Sequence, residues 1–243
     1  MIFAAGLGTR LRPLTNTRPK ALVEVAGKPL LEHVIEKLKK AGFNDITINI
    51  HHFADMIVDY VQEHNNFGIK IQFSDEREKL LNTGGGIKKA SSLIWPQGET
   101  EPVLIHNVDI LSNADLKSFY ETHRNADAAL LVSNRKTQRY FLFDKNNRLV
   151  GWKNEATDEV KSPYPNLNPS ECKKYAFSGI HLFAPSLLKE MKQFGDIFSI
   201  VDFYLEACPN YRIYGFPQSD LRLLDVGKLN TIEEAGEFLN SIS

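Results

Sequence analysis

The 243-residue sequence predicts an α/β fold built on a mostly parallel sheet with crossover helices. In the first half of the chain, short β-branched or apolar runs alternate with amphipathic helical patterns. The chain also has 42% hydrophobic residues and a net charge of -1, which is typical of a globular protein and excludes global disorder. No internal repeat or linker divides it, so we expect one domain over residues 1–243.

The parallel part of the sheet is predicted from four apolar runs, at residues 1–4, 45–50, 69–73 and 103–108. Helices are expected between them. Pro29 opens a helix whose apolar residues recur at intervals of three and four, and Gly42 is placed to end it. A second helix is expected at residues 54–64, and a third begins in the glycines at 84–86 and continues to Ile94.

The second half of the chain has a different pattern. After a helix that ends near His123, three strand candidates follow without helices between them, so we expect a small antiparallel excursion at residues 126–133, 139–143 and 148–152. The polar stretch at 154–174 contains Pro163, Pro165 and Pro169 and is expected to be a surface loop or lid. The remaining pattern predicts strands at 175–183, 212–216 and 221–224 and helices at 185–192, 200–207 and 231–239.

Composition excludes several classes of protein. The near-zero net charge supplies no bulk field that would draw the chain to nucleic acid or to an anionic membrane. Cys172 and Cys208 lie far apart and form no CxxC, so we expect neither a disulfide framework nor a cysteine zinc site, and we place the protein in the reducing cytoplasm. No apolar run approaches the length of a membrane span, and no signal peptide is expected.

A loop of small residues follows the first predicted strand. Gly6 and Gly8 allow backbone N–H groups to approach a phosphate or a base closely. Leu11 stands where a dinucleotide fingerprint needs its third glycine, and the GxxxxGK[ST] phosphate loop is absent from the sequence. Five basic residues lie in or shortly after this loop: Arg10, Arg12, Arg18, Lys20 and Lys28. The first acidic residue of the chain is Glu24. This excess of cations predicts an anionic partner such as a polyphosphate, and the alternative is a solvated basic face.

The segment AAGLGTRLRPLT at residues 4–15, followed by Pro19-Lys20 and Lys28-Pro29, resembles the signature of the sugar-1-phosphate nucleotidyltransferases, also called NDP-sugar pyrophosphorylases. The resemblance implies a three-layer α/β/α fold that is Rossmann-like and of the GT-A type. It also implies that a sugar-1-phosphate attacks the α-phosphate of an NTP, which forms an NDP-sugar and releases pyrophosphate. On this basis residues 1–112 would bind the nucleotide and residues 113–243 the sugar.

Nucleotidyl transfer requires cations around the phosphates and carboxylates that hold Mg²⁺. Asp109 and Asp225 each close an apolar strand candidate, so we expect them to be the Mg²⁺ ligands, although a turn or N-cap role is the alternative. The resemblance assigns the β- and γ-phosphates to Arg10 and the α-phosphate to Lys20. These four residues are the predicted catalytic set. Two positions depart from the family pattern, because Val108 replaces a glycine and Lys228 replaces a threonine.

Two segments are expected to bind the nucleotide. The first contributes Ala4, Ala5, Gly6, Gly8 and Thr9, together with Arg10 and Lys20. The second is Asn82, Thr83, Gly84 and Gly85, where consecutive glycines would cost about 1 kcal/mol each in a helix and are better explained by a ligand at the helix N-terminus. A flexible start of the helix is the alternative. This run resembles the branch that includes uridylyltransferases acting on N-acetylmuramate-1-phosphate.

We therefore expect UTP and an N-acetylated sugar-1-phosphate, with guanylyl transfer to mannose-1-phosphate or thymidylyl transfer to glucose-1-phosphate as open alternatives. On the sugar side the resemblance indicates Lys153, Ser178 and Gly179, although Lys153 also fits an ordinary surface lysine. A GT-A glycosyltransferase would require Asp-x-Asp, and residues 107–109 offer one carboxylate. A catalytically silent nucleotide-binding module would be expected to lack the lysine or an aspartate. Monomer and homodimer both remain open.

Overall fold

The structure is a computed structural model that describes residues 1–242, and it confirms the α/β class. The strands are β1 Ile2–Phe3, β2 Glu24–Val25, β3 Lys28–Pro29, β4 Asp45–Ile50, β5 Lys70–Asp75, β6 Val103–Asn107, β7 Ile110–Ser112, β8 Ala128–Ser133, β9 Arg139–Phe143, β10 Leu149–Asn154, β11 Glu159–Lys161, β12 Lys173–Phe183, β13 Ile213–Pro217 and β14 Leu223–Asp225. The α-helices are α1 Leu30–Lys40, α2 Ala54–Glu63, α3 Asn82–Ile94, α4 Leu116–His123, α5 Leu188–Met191, α6 Ile200–Ala207 and α7 Leu229–Ile242.

Ten strands form one mixed sheet. Its parallel part has the order β6-β1-β4-β5, as the alternation of strands and helices predicts. On the other side of β6 lies β12, which runs antiparallel to β6, β8 and β9. Strands β10 and β11 extend the antiparallel part, and β13 pairs in parallel with β8. Strand β6 therefore separates β1 on one side from β12 on the other.

Apolar side chains cover both faces of this sheet. On one face Leu30, Val34 and Ile57 of α1 and α2 pack with Ile48 of β4, and all four are buried. On the other face α3, α5 and α6 bury a second cluster that includes Phe203. The burial of one such side chain stabilises the fold by about 1.5–3 kcal/mol. Helices on both faces form the three-layer arrangement that the family resemblance implies.

Two elements differ from the prediction. The hairpin of β2 and β3 precedes α1 and turns through Ala26 and Gly27, which both have positive φ. Residues 154–174 are not simply a loop or lid: β11 pairs with β10, and the Ser162 hydroxyl donates a hydrogen bond of 2.7 Å to the Val150 carbonyl. The polar composition concealed β11 because all three of its residues are exposed at a sheet edge.

Both cysteines are free, in agreement with the prediction that they form no disulfide. Among residues 1–242, no helix has the length and apolar character that crossing a membrane requires.

Candidate active site

A cavity of about 570 Å³ opens at the carboxyl ends of β1 and β6. This is where open α/β sheets bind their ligands, and the volume is within the range for a small-molecule site. The predicted residues that line it are Ala4, Ala5, Gly6, Gly8, Thr9, Arg10, Lys20, Asn82, Thr83 and Asp109. The structure thus brings the two predicted nucleotide segments together with one of the two predicted metal ligands.

The loop after β1 is fixed by a buried side chain of β4. The Oδ1 atom of Asn49 accepts hydrogen bonds from the backbone N–H groups of Ala4, at 2.7 Å, and Ala5, at 3.3 Å. Its Nδ2 donates to Glu76 Oε1 at 2.8 Å, and Glu76 Oε2 accepts from the N–H of Leu81 at 3.1 Å. Asn49 is 3% exposed and Glu76 is 1% exposed. This pair therefore joins the loop at residues 4–9 to the segment that leads into α3.

Gly8 lies directly against Lys20. It has φ +63°, and a Cβ at Gly8 would come within 2.9 Å of Thr15 Cγ2 and 3.0 Å of Lys20 Cβ. The Thr15 hydroxyl donates to the Gly8 carbonyl at 2.8 Å. A side chain at position 8 would thus strain the backbone and displace the lysine. By contrast, nothing lies within 4 Å of a Cβ at Gly6, so the loop is open toward the cavity there.

The acidic residues meet beside this loop. Asp225 ends β14, which pairs with β7, and the N–H of Val226 donates to the Asp109 carbonyl at 2.8 Å. Lys20, which is 9% exposed, forms an ion pair with Asp109. Gly227 allows Arg10 to approach, because a Cβ there would lie 2.6 Å from Asp225 Oδ1 and 2.9 Å from an Arg10 nitrogen. Two cations and two carboxylates therefore share this edge of the sheet.

Asp225 has an unusual environment. Burial, and next the negative charge of Asp109, raise the pKa of Asp225 above its ordinary value, and the charges of Lys20, Arg10 and Arg135 act in the opposite direction. Its Oδ1 atom is buried and has no hydrogen-bond partner among residues 1–242. A buried oxygen without a partner is costly unless a ligand satisfies it. This is the arrangement expected of a carboxylate that holds a cation.

The donor set fits Mg²⁺. Carboxylate oxygens are its preferred protein ligands, and it usually retains water and binds substrate phosphates through its other positions. Asp109 and Asp225 would supply the two carboxylates. In the described part of the chain, no cluster of three or more His, Cys, Asp or Glu residues forms a complete protein cage for a metal.

The glycines at 84–86 have a different explanation from the one that the sequence suggested. They lie inside α3, which begins at Asn82, and all three are buried. The N–H groups of Gly84 and Gly85 donate to the Phe198 carbonyl at 2.9 and 3.3 Å. A Cβ at Gly84 would lie 2.4 Å from the Phe198 ring, and one at Gly85 would lie 2.0 Å from the Asp196 carbonyl oxygen. Close packing against Asp196 and Phe198, rather than a ligand, therefore requires glycine at positions 84 and 85.

The start of α3 still faces the cavity. Asn82 has φ +63°, and its Oδ1 accepts from the N–H of Thr83 at 2.7 Å. The Thr83 hydroxyl accepts from the N–H of Ile200 at 2.9 Å. Leu80 and Ile197 line the cavity beside them, and Ile197 is 54% exposed. This end of the cavity combines apolar surface with amide and hydroxyl groups, which is typical of a small-molecule site.

The predicted sugar-side residues lie apart from the cavity lining. Ser178 is buried, and its hydroxyl accepts from the N–H of Ile180 at 3.1 Å. Gly179 has φ +79°, and a Cβ there would lie 2.6 Å from Nδ2 of Asn107, which lines the cavity. Lys153 on β10 forms ion pairs with Asp158, at 2.9 Å, and Glu155, at 3.5 Å. Its ammonium group is thus held by neighbouring carboxylates.

Sequence reasoning missed three residues of this site. Asn49 and Glu76 lie at the carboxyl ends of β4 and β5, and Gly227 follows Asp225. The signal that identified Asp109, a polar residue where an apolar parallel strand ends, is also present at Asn49. The role of Gly227 depends on the approach of Arg10, which lies more than 200 positions earlier in the chain, and no local pattern encodes that approach.

The fold and the site define an α/β protein with a glycine loop, two cations and a pair of acids at the carboxyl edge of its sheet. The Nucleotidyl transferase family profile matches residues 1–241, so the chain belongs to that family.

Individual relatives agree with this assignment. The chain is 49% identical over 111 residues to an N-acetylmuramate alpha-1-phosphate uridylyltransferase of Caulobacter vibrioides, an alignment that covers 45% of this chain and 44% of the relative. It is 34% identical over 144 residues to a mannose-1-phosphate guanyltransferase of Gibberella zeae, an alignment that covers 58% of this chain and 39% of the relative. The aligned part of the chain thus spans less than half the length of either relative. The inositol-1-phosphate CTP transferase structure from T. maritima shares the fold, with a TM-score of 0.76 at 17% identity over 99% of this chain and 94% of that one.

Proposed function

We propose that the protein transfers a nucleotidyl group from an NTP to a sugar-1-phosphate and releases pyrophosphate. The observation that carries this proposal is that one cavity holds Arg10, Lys20 and Asp109, with Asp225 directly beside them. In this reaction an oxygen of the sugar phosphate forms a bond to the α-phosphorus, and the bond from that phosphorus to the pyrophosphate oxygen breaks. Positioning and charge stabilisation account for most of the catalysis in such transfers.

The cations have different surroundings and therefore different roles. Lys20 is buried and held by Asp109, so its ammonium group has a fixed place on the cavity wall, and we assign it to the transferring α-phosphate. Arg10 is exposed at the cavity and lies against Gly227, and we assign it to the β- and γ-phosphates. A cation fixed beside the reacting phosphorus stabilises the charge that develops in the transition state.

Asp109 and Asp225 would hold Mg²⁺, which when bound neutralises phosphate charge and aligns the reacting groups. The buried, unpartnered Oδ1 of Asp225 supports this assignment. Because removal of the ion would leave two carboxylates facing the anionic phosphates, we expect EDTA to abolish turnover and added Mg²⁺ to restore it.

We infer that UTP and an N-acetylated sugar-1-phosphate are the substrates. The similarity to the Caulobacter vibrioides uridylyltransferase supports this choice. We place the base at the end of the cavity where α3 begins, and the polar groups of Asn82 and Thr83 there suit a pyrimidine. Guanylyl transfer to mannose-1-phosphate is the alternative, which the Gibberella zeae relative supports. We place the reaction in the cytoplasm, because Cys172 and Cys208 are both free.

The test is a pyrophosphate-release assay with four NTPs against N-acetylmuramate-1-phosphate, N-acetylglucosamine-1-phosphate, mannose-1-phosphate and glucose-1-phosphate. We expect release with UTP and an N-acetylated sugar. Lys20→Ala should lower kcat by about 10². Lys28→Ala is the matched control, because Lys28 pairs with Glu32 and Glu36 on the surface. Tight nucleotide binding without release from any pair would instead identify a silent nucleotide-binding module.

A further inference from the structure

The order of the strands determines from which side each substrate reaches Asp109. Strand β6, which leads to Asp109, lies between β1 and β12. The loop that carries Arg10 and the glycines follows β1, so the triphosphate occupies the β1 side. In-line transfer requires the attacking oxygen to approach the α-phosphorus opposite the leaving pyrophosphate. The sugar phosphate must therefore approach from the side of β12 and its neighbour β8.

On that side lies the guanidinium of Arg135. Arg135 follows β8 by two residues, and its Nη2 donates to the Phe177 carbonyl of β12 at 3.0 Å. Its Nε is buried and unpaired, and the described residues give Arg135 no ion pair. The nearby Ser133 hydroxyl is also buried without a partner. Two unsatisfied polar groups at the end of one strand are unusual and indicate a place where a ligand supplies the missing bonds.

The geometry of β12 opens this side of the site. Its pairing with β8 shifts register between Phe177 and His181, and Gly179 lies inside that irregularity with φ +79°. Gly179 packs against Asn107, which lines the cavity. Bulges of this kind are common beside active sites, where they redirect a strand. Arg135 also lies close enough for its charge to act on Asp225, in the same direction as Lys20 and Arg10.

Lys153 is a weaker candidate for the same role. It lies on β10, which is separated from β6 by β9 and β12, so three strand spacings of roughly 4.8 Å place it about 14 Å away. Its ammonium group also forms the ion pairs with Asp158 and Glu155. An incoming phosphate would have to displace both carboxylates, whereas Arg135 has no carboxylate to lose.

We propose that Arg135 binds the phosphate of the sugar-1-phosphate on the β12 side of Asp109, in the role that the sequence suggested for Lys153. This inference rests on the proposed function. The guanidinium donates its Nη2 proton to Phe177 and presents its remaining N–H groups to the phosphate oxygens, a geometry that arginine provides and lysine does not. Arg135 thereby holds the attacking oxygen next to the acid pair.

The test compares Arg135→Ala, Arg135→Lys and Arg135→Gln with Lys136→Ala, a neighbouring exposed cation that serves as the control. We expect Arg135→Ala to raise the KM for the sugar-1-phosphate about 10- to 100-fold, while the KM for the NTP changes less than twofold. Arg135→Lys should recover part of the loss, and Lys136→Ala should behave as the wild type. An unchanged sugar-phosphate KM in Arg135→Ala, or an equal rise in both KM values, would overturn the assignment.

Two further measurements keep the outcome decisive. If Arg135→Ala does not fold, Arg135→Gln retains a donor for the Phe177 carbonyl and replaces it in the comparison. If the wild type releases no pyrophosphate with any substrate pair, the proposed function fails on its own. Arg135 is then tested by calorimetric titration of glucose-1-phosphate and of inorganic phosphate. Binding of either probe that weakens about tenfold or more in the Arg135 variants supports an anion site, and equal binding by wild type and variants refutes it.

Discussion

The pair Asn49 and Glu76 offers a sharp test of how the nucleotide cavity is assembled. In the wild type, Asn49 accepts from the N–H groups of Ala4 and Ala5 and donates to Glu76, which accepts from the N–H of Leu81. Exchanging the polarity of the pair, as Asn49→Asp with Glu76→Gln, keeps every partner and the net charge. In the double variant the new carboxylate at position 49 accepts from the N–H groups of Ala4 and Ala5 and from the new side-chain amide at position 76. The oxygen of that amide accepts from the N–H of Leu81.

Each single variant should be damaged. Asn49→Asp directs a second carboxylate oxygen at Glu76 Oε1, where the present separation is 2.8 Å. In Glu76→Gln the side chain has one acceptor oxygen for two donors, Asn49 Nδ2 and the N–H of Leu81. Its NH₂ group therefore faces one of those donors in either orientation. Each change leaves buried polar groups unpaired at a cost of about 1–3 kcal/mol, and the repulsion in Asn49→Asp adds to it. A cost of about 2 kcal/mol that falls on the nucleotide-competent loop weakens NTP binding about 30-fold.

The assay measures the Kd of the NTP and the free energy of unfolding for the wild type, both single variants and the double variant. We expect the double variant to bind the NTP within about threefold of the wild type, with a favourable coupling energy above about 1 kcal/mol. A purely structural pair would recover stability but would leave NTP affinity similar in all four folded proteins. Additive losses in the double variant would refute the polarity argument itself.

Three other perturbations have directions that follow from the structure. Gly85→Ala should destabilise the fold by about 3 kcal/mol in urea unfolding, because its Cβ would lie 2.0 Å from the Asp196 carbonyl oxygen, whereas Gly236→Ala, with nothing within 4 Å, should be neutral or stabilising. Burial lowers the pKa of His106 from 6.5 to about 4. As the pH decreases, this histidine is therefore protonated in the unfolded chain before it is protonated in the folded one. The free energy of unfolding should then fall by about 3 kcal/mol between these two pKa values. In His106→Asn this decline should be smaller in a series of Tm measurements, and an unchanged decline would contradict the assignment. Asp225→Asn should raise the Tm of the metal-free protein by a few degrees, because it removes a buried charge. The same variant should lose the stabilisation that Mg²⁺ with NTP gives the wild type. A lower Tm in the metal-free variant would show that the carboxylate is satisfied without a ligand.

The elements that the sequence predicts well are those in which one physical signal dominates. The run at 45–50 is apolar and β-branched, and it forms β4 with the predicted bounds. Pro29 and the apolar spacing likewise place α1 correctly. Strand β11 escaped prediction because an exposed edge strand carries no hydrophobic pattern. The sequence does not show why glycine is needed at positions 84 and 85, because the residues that pack against them, Asp196 and Phe198, lie more than 100 positions away.

The site follows the same division between local and long-range signals. Arg10 and Lys20 belong to a contiguous motif, so the sequence alone directs attention to them. Arg135 acquires its place only because β12 lies between β8 and β6, and no pattern in the neighbourhood of residue 135 encodes that order.

Under the proposed function, strand order also explains how one acid pair would serve two substrates. The loop after β1 approaches Asp109 from one side, and β12 with Arg135 approaches from the other. Changes at Asn49 should therefore act on the NTP and leave the sugar phosphate unaffected, and changes at Arg135 should do the reverse. In the proposed mechanism Lys20 and the two aspartates act on both phosphates, so their substitutions should lower kcat rather than one KM. If a substitution at Asn49 and one at Arg135 instead raised the same KM, the two substrates would share one side of β6, and the in-line arrangement would have to be redrawn.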